Sequence, residues 1–286
     1  EESLSHLAAA TEIFDKAGDL WEVNLAQFHR SCCQYGLGNL SDAIIEVRST
    51  FDSSVRIGDS RILCSSYLWA RAARGNSPFE ELKSCYPDRP DDVMSTVHGI
   101  MAEGHWHTFH GRTDEALETF ERASNLVWKN FCVNSHMILV MPVLAAALRR
   151  HADAVQSANP QEADRLRKRG FRTAKWAARI TRLFPAAHAE SLREMSLQLE
   201  AKGKTKKALR VVDRSCAVAE RQGEKYEHAQ SLLVRGKLAR ELGLPEAEQQ
   251  IQTAEVALET FERMMQEASN NPIVANPSIG ESPTSK

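Results

Sequence analysis

The chain has 286 residues, 42% apolar and 26% charged, with 36 Lys and Arg against 38 Asp and Glu; this is the balance of an ordinary globular protein and excludes disorder of the whole. Its longest apolar stretch, Met137 to Leu148, is broken by Pro142 and falls far short of the roughly 20 residues that a membrane-spanning helix needs. The near-neutral total conceals a split: from Arg149 to Arg221 there are 18 Lys and Arg against 8 Asp and Glu, elsewhere 18 against 30, so the chain is electrically polarised along its length.

The sequence opens on Glu1 with no initiator Met and no charged-then-apolar leader, so residues 1–17 read as the trailing helix of a repeat cut off upstream, in an excised piece of a larger protein. A turn then recurs: Gly, a few small or polar residues, and an Ala that opens an apolar helical stripe. It stands at Gly38–Ala43, Gly111–Ala116, Gly203–Ala208 and Gly243–Ala247, with a weaker copy from Gly75. A Gly just past a helix can take the left-handed cap, and a small Ala lets two helices approach closely. After the turns the spacing is helical: Ala116, Phe120, Ala123 and Val127 fall on one face, as do Ile251, Ala254, Leu258 and Phe261. A second signal, a helix-ending Gly followed by an acidic N-cap, stands at Gly18-Asp19, Gly58-Asp59 and Gly223-Glu224.

Together these signals predict antiparallel helical hairpins whose leading helices start near Leu20, Ser60, Val93, Asn134, Ala186 and Lys225. The fourth unit is longer, with a loop over Val155–Pro160 before a long helix that ends near Pro185. Residues 1–268 are expected to form one such solenoid, and residues 269–286, rich in Asn, Pro and Ser, a disordered tail. Six cysteines without CxxC spacing fit reduced thiols in a cytoplasmic protein.

In the third unit Gly104, Gly111, Ala116, Phe120 and Ala123 stand at the offsets of the small and aromatic signature residues of tetratricopeptide repeats, and Gly236 with Gly243 repeats part of that pattern. The chain therefore resembles a tetratricopeptide-like helical repeat protein. Ile100 and His107 stand where the usual Trp and Tyr of the leading helix would be, and the cadence of Val55 to Asp59 looks like the divergent repeats of large bacterial signalling ATPases and kinases. The resemblance implies an all-α, right-handed superhelix of about six hairpins. It also implies a concave groove lined by leading helices, at Leu25, Phe28, Cys32 and Tyr35 in the first unit, His98, Met101, His105 and Thr108 in the third, and Gln230, Leu233, Lys237 and Arg240 in the last.

Motifs of catalysis fail on inspection. Gly203-Lys204-Thr205 lacks the Gly five residues earlier that a phosphate-binding loop needs, Gln198 standing there, and reads as a basic turn. Glu103, His107 and His110 share a helical face and can in principle hold a divalent metal, but His107 falls at an inward packing position. No nucleophile elbow is present. No enzyme, cofactor or metal is expected. Arg165, Arg167, Lys168, Arg169, Arg172, Lys175, Arg179 and Arg182 make one strongly basic helix. As a functional face it suits an acidic protein better than nucleic acid, because the whole chain is near neutral; otherwise it is a solvated outer surface.

The expected function is a non-catalytic protein-interaction scaffold, the helical repeat region of a larger cytoplasmic signalling protein, with a protein, a peptide or a neighbouring domain as partner and neither nucleic acid nor membrane. The alternative is a ligand-sensing regulatory module of a signal-transduction ATPase or kinase, in which His98, Met101 and His105 meet a small polar molecule. A metal-dependent helical hydrolase on Glu103, His107 and His110 is the remote third reading.

Overall fold

The computed structural model describes residues 2–59, 61–77, 79–84 and 92–270. Among them there is no strand, and thirteen α-helices follow in order: α1 (Glu2–Ala17), α2 (Leu20–Leu37), α3 (Leu40–Ile57), α4 (Arg61–Ala72), α5 (Phe79–Ser84), α6 (Val93–Phe109), α7 (Thr113–Lys129), α8 (Val140–Val155), α9 (Pro160–Ile180), α10 (His188–Glu200), α11 (Thr205–Gln222), α12 (Lys225–Glu241) and α13 (Ala247–Asn270). The Gly turns work as local physics requires. Gly38 takes φ of 81°, and its N–H donates to Tyr35 while that of Asn39 donates back to Gln34, ending α2 and starting α3 within three residues. At the other end of α2 Asp19 caps the helix by accepting from the Glu22 amide at 3.2 Å. Glu224, expected to do the same for α12, makes no capping bond.

Within a hairpin, small residues set the helix spacing. A Cβ on Gly104 of α6 would lie 2.6 Å from the Phe120 ring of α7, so this glycine is what admits the fully buried Phe120. The leading helices α2, α8, α10 and α12 each pack on the helix before and after them, α4 packs on α3 and α6, and α6 on α4 and α7, an all-α superhelix of hairpins. Two units depart from regularity. In the second, the described part of the trailing helix is the six residues of α5, and α4 packs directly beside α6. In the fourth, α8 opens with a short 3-10 turn and α9 runs beside it for 21 residues, so the stack is continuous through the long unit. The last helix runs through Ser269 and Asn270; residues 271–286 of the expected tail lie outside the described residues.

The stack does not stay open. The long α13 runs past α12 and lies on α3, and α12 meets α2. Phe28, Leu40, Ile44, Val47, Phe51 and Trp69 share one buried cluster with Tyr226, Met265 and Ala268, with Phe261 packed against it. The seam is also hydrogen-bonded: Ser41 donates to the Met264 carbonyl at 3.0 Å and Arg48 to that of Ala268 at 3.2 Å. An open concave groove is thus replaced by a closed ring, because α13 carries enough apolar surface at its far end to bury against the first hairpin. A second core, around Met101, Phe120, Met137, Ile138, Leu148 and Leu166, holds the opposite side of the ring. Helix α1 packs along α2 without burying any residue of its own.

Candidate functional site

Closure turns the inner faces of all six leading helices toward one central chamber of about 130 Å³. Its walls carry more charge than an interior tolerates unpaired, and all of these charges except Arg150 are paired. Arg71 of α4 is the hub. Its guanidinium donates to the Tyr35 hydroxyl at 3.1 Å, the Tyr67 hydroxyl at 3.0 Å, Glu190 at 2.7 Å and Glu227 at 3.4 Å. One side chain thereby joins α2, α4, α10 and α12 across the ring. The other oxygen of Glu227 accepts from Arg193 at 2.7 Å, and Glu194 accepts both arms of Arg149 at 2.9 Å, with Gln198 adding a third donor at 3.1 Å. Burial alone would raise the Glu227 pKa, but Arg193 and Arg71 outweigh it and hold the carboxyl below its ordinary range. Glu224 has no such partner: burial and then Glu227 push it up to about 8.

The expected groove residues do not form one surface. Tyr35, His105, Thr108 and Gln230 line the central chamber. Leu25, Phe28 and His98 line a separate cavity of about 360 Å³ together with His136. Cys32 packs against the seam cluster and Met101 is completely buried in the opposite core. Leu233 is half-buried on α12, while Lys237 and Arg240 are exposed, Arg240 lying 3.8 Å from Glu248. His98 sits 3.1 Å from the Cys64 sulfur, and burial, then His136, push its pKa down to about 3, so it is a neutral interior group.

Of the three candidate metal ligands two are engaged elsewhere, and His107 stands against the Trp106 ring with its buried Nδ1 unpartnered. Glu103 pairs with Lys83 at 3.2 Å and Arg122 at 2.6 Å, and His110 lies over the Trp106 ring with Nδ1 at 2.8 Å from that residue's carbonyl. Among the described residues no group of His, Cys, Asp or Glu is placed to hold a metal ion. Burial first of all pushes the Cys32 thiol up to about 12 and that of Cys216 to about 11, so neither is an activated nucleophile. Gly203 turns the chain between α10 and α11, and Thr205 donates to Glu241 at 3.2 Å.

The basic helix divides in two. Arg165 pairs with Glu162, Arg167 with Asp153, Lys168 with Asp164 and Arg169 with Glu121, all at 3.0 Å or less. Arg172, Lys175 and Arg179 of α9, and Arg182 just beyond it, are exposed and have no carboxylate within ion-pair distance among the described residues. Their spacing of three, four and three residues makes them one stripe. Two further exposed cations stand on α11. Besides burial, the charges of Arg214, Arg182 and Arg221 lower the pKa of His188 at the start of α10, and Arg214 and Arg221 of α11 are likewise exposed without an ion-pair partner among the described residues. Their 32- and 39-residue distance from Arg182 in the chain hides this from a reading of one helix at a time.

No family profile and no curated protein sequence matches the chain. Among solved structures it is similar to BtubC (BKLC) from P. vanneervenii, 16% identical, covering 87% of this chain and 96% of that one, with a TM-score of 0.42. It is also similar to a Podosopora anserina putative kinesin light chain with nearly identical TPR-like repeats, 15% identical, covering 80% of this chain and 99% of that one, with a TM-score of 0.33. At these scores the fold assignment rests on the helix pairing described above. No helix among the described residues is long and apolar enough to cross a membrane.

Proposed function

We propose that the chain is a non-catalytic protein-interaction scaffold that holds an acidic segment of a partner protein against the face built from α9 and α11. The observation that carries this reading is the contrast in pairing: Arg71, Arg149 and Arg193 of the chamber are matched by carboxylates, whereas Arg172, Lys175, Arg179, Arg182, Arg214 and Arg221 stand exposed with none within ion-pair distance among the described residues. Unpaired surface cations of one sign create a field that steers an oppositely charged partner. The buried, protonated thiols and the engaged Glu103 support a structural rather than a catalytic use of the chain's reactive groups. Five described cysteines are free thiols, which supports a place in the reducing cytoplasm, as the repeat region of a larger regulatory protein.

The test is fluorescence anisotropy with a labelled Glu-rich peptide. Binding that weakens as salt rises, and weakens about tenfold or more when Arg172, Lys175, Arg179 and Arg182 are all changed to Glu, is the expected result. Equal binding by the variant removes the face from consideration. Tighter binding of a single-stranded DNA oligonucleotide than of the peptide would move the reading to nucleic acid.

A further inference from the structure

We propose that the central chamber of the ring binds a small oxyanion, of the size of inorganic phosphate or a short dicarboxylate, with Arg150 as its anchor. This site does not rest on the docking face and stands or falls separately.

The reasoning is a balance of donors and acceptors. Five guanidiniums, Arg71, Arg74, Arg149, Arg150 and Arg193, line the chamber against three carboxylates, Glu190, Glu194 and Glu227, and Arg74 pairs with Glu262 outside it. All three carboxylates are engaged: Glu190 by Arg71, Glu194 by Arg149 and Gln198, Glu227 by Arg71 and Arg193. Arg150 alone of the five has no carboxylate within ion-pair distance among the described residues, and it is exposed at the chamber wall. A surplus cation in a partly closed space surrounded by protein attracts an anion more strongly than the same cation on an open surface.

The remaining polar capacity is also of the donor kind. The Tyr35 hydroxyl accepts from Arg71, which leaves its own hydrogen without an acceptor among the described residues; burial, its largest influence, keeps this phenol protonated. Arg193 uses an arm on Glu227 while its Nε is buried without a partner. His105, only 8% exposed, lines the same chamber with Nε2 unpartnered, a donor in the Nε2–H tautomer of the neutral ring. Burial, then Arg71 and Arg150, hold its ring neutral, which places both cations near it. A planar guanidinium fork matches a carboxylate or phosphate edge with two parallel hydrogen bonds. The volume of about 130 Å³ is several times what one water needs, room for phosphate or malonate. Because α2 and α12 both line the chamber, the bound ion would bridge the two ends of the ring.

The experiment titrates inorganic phosphate and, separately, malonate by calorimetry, at an ionic strength held constant with sodium chloride and at a temperature well below unfolding. Saturable binding of at least one of them is expected. Arg150→Gln should weaken it at least tenfold, and a variant with Arg172, Lys175, Arg179 and Arg182 all changed to Gln should titrate as the unaltered chain does. Arg150 has no ion partner to lose, so Arg150→Gln should fold normally; its unfolding midpoint in chloride alone verifies this. If that midpoint falls, Arg150→Lys, which keeps the charge and loses the fork, replaces it and should still weaken binding. The proposal is overturned if neither anion binds saturably, if Arg150→Gln or Arg150→Lys in a folded protein binds as tightly as before, or if the α9 variant is the one that loses binding. Phosphate alone binding identifies a tetrahedral ligand, malonate alone a planar carboxylate.

Discussion

The centre of the ring and the outer face of α9 use the same side chain to opposite ends. In the centre Arg71, with 10% of its side chain exposed, is held between Glu190 and Glu227 and raises no external field. On α9 Arg172 and Arg179 stand in solvent with no carboxylate in reach among the described residues. The two sets lie in overlapping stretches of sequence: Arg149 and Arg193, both inside, fall in the same basic window as the outer stripe. A count of charge along the chain therefore overstates the basic surface, and what separates structure from docking is whether a carboxylate arrives from another helix.

The largest effect should come from breaking the central set. Arg71→Met leaves Glu190 and Glu227 without their shared cation, and removing one partner of a buried pair typically costs about 3–5 kcal/mol. Urea unfolding should show that loss, and adding Glu190→Gln should recover part of it, because Glu190 is then uncharged while Glu227 keeps Arg193. A loss below 1 kcal/mol would mean that the hub is not what ties α4 to α10 and α12.

The hub also marks the limit of what the sequence discloses. The helix starts at Leu20, Val93 and Lys225 were legible because Gly turns act within a few residues. Gly104 and Phe120 were legible because the hairpin brings them together at a fixed offset. Arg71 meets Glu190 and Glu227 across 119 and 156 residues, and Arg48 meets Ala268 across 220. No local pattern encodes such meetings. The one local trace of the chamber is on α10, where Glu190 and Glu194 stand one turn apart on a helix otherwise packed with buried residues. The direct packing of α4 on α6 was likewise hidden, since the turn at Gly75 resembles the others.

Ring closure can be sharpened against a surface of the same chemistry. Met265→Ala removes a side chain 2% exposed in the seam and should cost about 2–5 kcal/mol in urea unfolding. Ile13→Ala on α1, 65% exposed, should stay within about 0.5 kcal/mol. Equal small effects would mean that α13 contributes little by lying on α3.

Next in size is a pH effect from Glu224. Its folded pKa is pushed up to about 8 by burial and Glu227, above the ordinary carboxylate range, so the folded state holds a proton that the unfolded state has released. That contribution is fully present below the unfolded pKa and is lost as pH rises through the folded one. Between pH 6 and 9 the urea midpoint of the chain should fall more steeply than that of Glu224→Gln, in which the group cannot ionise. Parallel curves would show that Glu224 ionises freely in the folded ring.

The smallest stability change should belong to the outer stripe. Changing Arg172, Lys175, Arg179 and Arg182 to Gln removes no ion pair, and exposed positions away from packing usually move stability by less than about 0.5 kcal/mol each. Mutual repulsion among these cations should even be relieved, so the unfolding midpoint should hold or rise slightly at low salt and converge with that of the parent at high salt. Binding of the acidic peptide should fall in the same variant. A stable fold with lost binding is the signature of side chains retained for a partner. A substantial loss of stability would instead mean that these cations are engaged in holding the helices together.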